Sequence, residues 1–176
     1  AIAWHNIGTT YLQMGRYDEA VEPLAWSVEL RPTNSLGLAN MAVVHFQRNR
    51  LADALHYAEL AVHAEPNVHV HAYNTLGSVY LALRDVGKAV QAHEHAARVA
   101  PSPAAYETLA NTFEHAHDYV RARDMWQRAF EETKNPITWC KWMRTNLQTC
   151  EWSEWDTRMA TLRDAASQTT QCVSSF

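Results

Sequence analysis

The sequence predicts an all-α solenoid of antiparallel helix hairpins, and three observations carry that prediction. A set of large and small residues recurs along the chain. Trp4, Ile7, Gly8, Tyr11, Ala20, Leu24, Ser27 and Pro32 are followed by Leu38, Met41, Ala42, His45, Ala54, Ala58, Ala61 and Pro66. A third pass reads Tyr73, Leu76, Gly77, Tyr80, Ala89, His93, Ala96 and Pro101, and a fourth reads Tyr106, Leu109, Ala110, Phe113, Ala122, Trp126 and Ala129. The passes start 34, 35 and 33 residues apart. Self-similarity at such a period marks stacked repeats, none of which buries its apolar face alone. Within each half-pass the marked residues stand three or four apart, on one helical face. Polar turns separate the halves: MGRYD at 14–18, NRLAD at 49–53, RDVGK at 84–88 and HDYVR at 117–121.

Each first helix carries a bulky residue, then an apolar and a small one, then a second bulky one. The small positions let the second helix come close, so Gly8 is expected against Ala20, Ala42 against Ala54, Gly77 against Ala89 and Ala110 against Ala122. Pro32, Pro66 and Pro101 end the second helices, because proline lacks the N–H that a continuing helix needs. Four repeats follow, at about 1–34, 35–69, 70–102 and 103–135, with a degenerate fifth hairpin and tail over 136–176.

The fifth pass reads Trp139, Trp142, Met143, Trp152, Trp155, Met159 and Leu162. Met143 and Trp155 fill its small-residue columns, so its two helices are not expected to approach as the others do. Four of the seven tryptophans lie here. Trp139, Trp142, Trp152 and Trp155 are therefore expected to form a docking surface for a further domain or subunit. A locally larger core is the alternative.

Composition narrows the function. A net charge of −4 gives no basic footprint for nucleic acid. With no apolar run of about twenty residues and no leader-like start, neither membrane nor secretion is indicated. Cys140, Cys150 and Cys172 show no CxxC spacing, which points to reduced thiols in the cytoplasm or nucleus. The histidine pairs 69/71, 93/95 and 115/117 are each two apart. That spacing turns the rings to opposite sides of a helix, so no metal site is expected and the histidines read as solvated. No phosphate loop, activated nucleophile or isolated carboxylate pair is recognisable. The expected chain is not an enzyme and needs no cofactor.

The columns resemble the tetratricopeptide repeat, whose W..IG..Y first helix, YDEA turn and closing RP stand in the first pass. That resemblance implies a right-handed superhelix whose first helices line a concave groove for a protein or extended peptide. The string LQTCEWSEWDTRMATL at 147–162 is similar to the junction between repeats and catalytic region in the protein O-linked N-acetylglucosamine transferase family, with its Spindly-type relatives. The matching residues are Cys150, Glu151, Trp152, Ser153, Glu154, Trp155, Asp156, Arg158 and Leu162. The closing VSSF looks like the stretch before that family's glycosyltransferase lobes. The start at AIAWHN, without a capping residue, and the end at Phe176 are expected to be cuts in a longer polypeptide or limits of an ordered region.

That family also implies an asparagine ladder on the first helices, which holds the backbone of an extended peptide; a side-chain amide offers both a donor and an acceptor for this. Asn6 and Asn40 match it, Thr75, Thr108 and Lys141 replace it, and Asn74 and Asn111 lie nearby. The candidate groove is therefore Asn6, Asn40, Asn74, Thr75, Thr108 and Asn111, with asparagines at an inter-repeat contact as the alternative reading. A clamp for C-terminal carboxylates is not indicated. Its positions hold His5, Thr9, Ala39, Val43, Asn74, Ser78, Glu107 and Asn111, with no cationic cluster. Two functions stay open: a substrate-recognition arm like that of a protein O-GlcNAc transferase, or a non-catalytic structural subunit of a larger assembly.

Overall fold

The computed structural model describes residues 1–64, 70–149 and Ala160. Among these residues the regular elements are helices: α1 (Ile2–Gln13), α2 (Tyr17–Leu30), α3 (Ser35–Gln47), α4 (Leu51–Ala64), α5 (Val70–Ala82), α6 (Val86–Val99), α7 (Pro103–His115), α8 (Tyr119–Thr133) and α9 (Pro136–Gln148). Successive helices fold back on one another as α1/α2, α3/α4, α5/α6 and α7/α8. The all-α hairpin fold expected from the sequence is the one observed. Two compact units make up the chain, one from Ala1 to Val99 and one beginning at Ala100.

Every hairpin turns by the same device. Gly15, Asn49, Arg84 and His117 each take a positive φ, between 57° and 71°, just past the end of the first helix. A left-handed residue at this point closes a helix by satisfying its last carbonyls. Arg16, Arg50, Asp85 and Asp118, the next residues, donate their N–H groups back to Tyr11, His45, Tyr80 and Phe113 at 2.9 Å. Three of these rings then carry a cation. Arg16 lies 4.8 Å from the Tyr11 ring, Lys88 5.3 Å from Tyr80 and Arg121 4.4 Å from Phe113. Each cation is paired across the turn, with Glu19, Asp85 and Asp118 respectively. In the second repeat the ring is His45, and the facing charge is Asp53, 3.9 Å away.

Between the helices of a hairpin the approach at the small column is close. A Cβ placed on Gly8 would stand 2.5 Å from Leu24 Cγ and 3.2 Å from the Leu24 backbone nitrogen. A Cβ on Gly77 would run into the His93 ring. The nearest neighbours of the small column of the first helix are thus in the Leu24 column. Ala20, Ala54, Ala89 and Ala122 are small for a related reason: each is wholly buried, and a larger side chain would overfill a close-packed interior.

Pro32 and Pro101 lie just past α2 and α6, as expected, and Pro66 is outside the described residues. Pro23 departs from the rule, since it sits buried inside α2. The helix continues through it although an interior proline costs about 3 kcal/mol.

The second unit has the bulkier core. Trp126, Phe130, Trp139, Trp142 and Met143 pack with Ala110, and the Phe130 and Trp142 rings stack at 5.9 Å. This corrects the expectation that Trp139 and Trp142 form a docking surface. They are 1% and 7% exposed, because the rings fill the space between α7, α8 and α9. Trp152 and Trp155 lie outside the described residues, as do Cys150 and the rest of the 150–159 string.

Candidate peptide-binding face

In the first unit, α1 packs on α3 and α3 on α5, while the second helices pack mainly on first helices. The first helices thus form a contiguous row. A chain of hydrogen bonds crosses it. His71 Nε2 donates to Asn40 Oδ1 (3.3 Å), Asn40 Nδ2 donates to Thr9 Oγ1 (3.1 Å), and Thr9 Oγ1 is hydrogen-bonded to His5 Nε2 (3.4 Å). Both long bonds span 31 residues. That separation is about one helical turn short of the repeat, so it joins neighbouring first helices at adjacent levels. Burial lowers the pKa of His5.

Between α3 and α5 opens a cavity of about 200 Å³ lined by Val43, Phe46, Gln47, Asn74, Thr75 and Ser78. Val43 and Phe46 supply apolar surface. The hydroxyls of Thr75 and Ser78 turn inward, donating to the carbonyls of His71 and Asn74 at 2.9 Å. The side-chain amides of Gln47 and Asn74 make no hydrogen bond among the described residues. Two donor–acceptor groups therefore border an apolar pocket, an arrangement suited to a polypeptide main chain with one side chain inserted.

The sequence-derived groove residues separate into distinct roles. Asn6 is exposed on α1, and its backbone carbonyl accepts from Thr10 Oγ1 at 2.8 Å. Asn40 is buried and spends both ends of its amide on neighbouring repeats, the inter-repeat role named as the alternative. Asn74 and Thr75 line the cavity. Thr108 and Asn111 belong to the second unit, where they bond the carbonyls of Ala104 and Glu107 in their own helix at 2.9 Å. Lys141 lies 4.6 Å over the Trp126 ring. Sequence reasoning placed Val43 and Ser78 on the groove face in the carboxylate-clamp comparison without naming them as candidates, and it missed Phe46 and Gln47. Val43 and Ser78 occupy the same repeat position as Thr9, five residues after the opening large residue.

The second unit spends its polar groups internally. Glu107 Oε1 accepts from Thr138 Oγ1 at 2.7 Å. Glu114 is a hub: Oε1 accepts from Trp126 Nε1 (2.9 Å) and Thr145 Oγ1 (3.0 Å), and Oε2 from Arg144 Nη2 (2.8 Å). Both carboxylates stand 31 residues from their threonine partners, the same lateral offset as in the first unit.

The histidines also need correction. His93 and His45 are buried, and His95 stacks on Tyr73 at 3.9 Å between centroids. His93 occupies the Leu24 column, where the hairpin demands a core side chain, and it donates from Nε2 to the Asn74 carbonyl at 3.2 Å. Burial lowers its pKa. Among the described residues no group of His, Cys, Asp and Glu is arranged to hold a metal.

Paired helices at this period define a repeat protein of the α-solenoid class. Family models of the tetratricopeptide repeat match residues 5–69 and 70–103, together more than half of the chain. The chain belongs to the tetratricopeptide-repeat family. Among solved structures it is similar to Pseudomonas aeruginosa pilF, at 17% identity and a TM-score of 0.78, over 93% of this chain and 75% of that one. A structure of MamA from Desulfovibrio magneticus RS-1 aligns at 16% identity and a TM-score of 0.77 over 95% of both chains. A thermophilic TPR protein of Thermus thermophilus aligns at 18% identity and a TM-score of 0.70, over 96% of this chain and 91% of that one. Likeness at these identities speaks to fold. No curated protein matches the chain. None of the described helices is long and apolar enough to cross a membrane.

Proposed function

We propose that this chain is a non-catalytic protein-interaction module: four repeats over 1–135 and a degenerate hairpin over 136–176, binding an extended polypeptide segment along α3 and α5. The observation that carries this reading is the cavity whose apolar wall, Val43 and Phe46, is bordered by the unbonded amides of Gln47 and Asn74. An amide pair can hold a peptide backbone from either side, and a short cleft between parallel-running first helices suits an extended chain. In this reading the module acts without metal or cofactor, and cysteines without CxxC spacing favour the cytoplasm or nucleus. On an array of synthetic peptides the chain should retain a subset, and Gln47→Ala with Asn74→Ala should lose that subset while helicity stays constant. An unchanged set of retained peptides would contradict the reading.

The 147–162 string supports a narrower form of the same proposal, in which the module is the substrate-recognition arm of a protein-glycosylating transferase. Peptides retained by the chain should then include serine or threonine acceptors of such an enzyme, and the chain should compete with it for protein substrates. Absence of competition would leave the general interaction role and remove the transferase reading.

A further inference from the structure

Charge is distributed unevenly between the two helix sets of the first unit. The helices α1, α3 and α5 contain no Asp, Glu, Lys or Arg at any position. Their hairpin partners carry Asp18, Glu19, Glu22 and Glu29 on α2, Asp53 and Glu59 on α4, and Lys88, Glu94 and Arg98 on α6. About a quarter of residues in an ordinary domain are charged, so three neighbouring uncharged helices with exposed positions are a marked departure. The solvent-facing polar side chains of the row include Asn6, Thr10, Gln13 and Gln47, none of which carries a charge. The nearest fixed cation past α3, Arg48, is already paired with Asp18 at 2.8 Å.

We infer that the partner is an uncharged extended polypeptide segment that seats one large apolar side chain between Val43, Phe46 and Ser78; this rests on the peptide-binding reading above. A carboxylate or ammonium brought onto this row would lose hydration and meet no opposite charge, whereas neutral polar groups would find the Gln47 and Asn74 amides. The cavity, at about 200 Å³, is below the roughly 300–1,000 Å³ of typical small-molecule pockets. It has room for a single side chain. Without ion pairs across the interface, affinity is insensitive to ionic strength.

The test is selection from a random peptide display library on the full chain, with Gln47→Glu and Asn74→Ala in parallel. Gln47 is exposed and Glu is isosteric with it, so folding is not at stake. Selected sequences should be depleted in Asp, Glu, Lys and Arg around a fixed Leu, Ile, Met or Phe, and their affinities should change less than about twofold between low and high salt. Gln47→Glu should weaken these peptides about tenfold, some 1.4 kcal/mol, and should admit Lys or Arg beside the anchor. An acidic or basic motif that Asn74→Ala abolishes would overturn the neutral selectivity while leaving the groove in place. No enrichment, or peptides indifferent to both variants, would overturn the groove itself.

Discussion

The first helices of the two units are built on one repeat and spend their polar groups in opposite ways. In the unit that begins at Ala100, Glu107 and Glu114 draw in Thr138, Trp126, Arg144 and Thr145, and Lys141 lies over Trp126. The polar groups there are consumed in joining α7, α8 and α9 around a tryptophan-rich core. In the unit from Ala1 to Val99, one amide, Asn40, joins the row of first helices, and the amides beside the α3–α5 cavity are left outward. The lesson is that the hairpin period sets the scaffold, whereas the fate of first-helix polar groups decides which face can bind.

The contrast can be broken most severely at Glu114. Glu114→Ala removes the acceptor of three donors, among them the indole N–H of a buried tryptophan, and should cost about 3 kcal/mol. Denaturant melts followed by tryptophan fluorescence would measure it; a loss below about 1 kcal/mol would mean that the hub is not what joins α7 to α9. In the first unit, Ala54→Leu or Ala89→Leu overfills a fully buried position and should cost about 1–3 kcal/mol by thermal melting. No loss for either would refute the hairpin register. Asn40→Ala should cost about 1 kcal/mol, because it cuts the α1–α3–α5 chain, whereas the exposed Asn6→Ala should leave stability unchanged. Equal effects would erase the distinction between a structural and a surface asparagine.

The gentlest probe is acid. Burial holds His93 and His45 below the ordinary imidazole value of 6.5. The unfolded rings take up protons near that value while the folded ones resist, so the unfolded state binds more protons and stability declines as pH falls below 6.5. His93→Leu puts a side chain in this column that the first repeat already packs at Leu24, and it should flatten the decline. A slope unchanged by that substitution would assign the pH response elsewhere.

The repeat fold was legible because its signal is redundant: four copies of a large–small spacing leave one periodicity to choose. His93 was misread because residue type argued for solvent while its column argued for core, and the column won. Trp139 and Trp142 were misread for a different reason. A run of tryptophans looks like excess apolar surface until α7 and α8 are placed beside it, and only the three-helix contact shows them filling the interior. Asn40 and Asn6 share a repeat position, yet Asn40 is clamped between the Thr9 and His71 side chains of two neighbouring helices while Asn6 is exposed, a difference that the shared column does not encode. The cavity was not legible, because it depends on the lateral offset between α3 and α5, and no local pattern encodes that offset. The charge-free first helices were open to view in the sequence, but their meaning needed the knowledge that the three helices lie side by side.

The account rests most heavily on the claim that binding belongs to the neutral row of the first unit. Backbone amide shifts of the full chain, recorded by NMR during titration with a library-selected peptide, test it directly. The account predicts perturbations centred on Val43, Phe46, Gln47, Asn74 and Ser78, with α7 and α9 unmoved. Saturable shifts confined to α7–α9, with the α3–α5 residues unchanged, would contradict it.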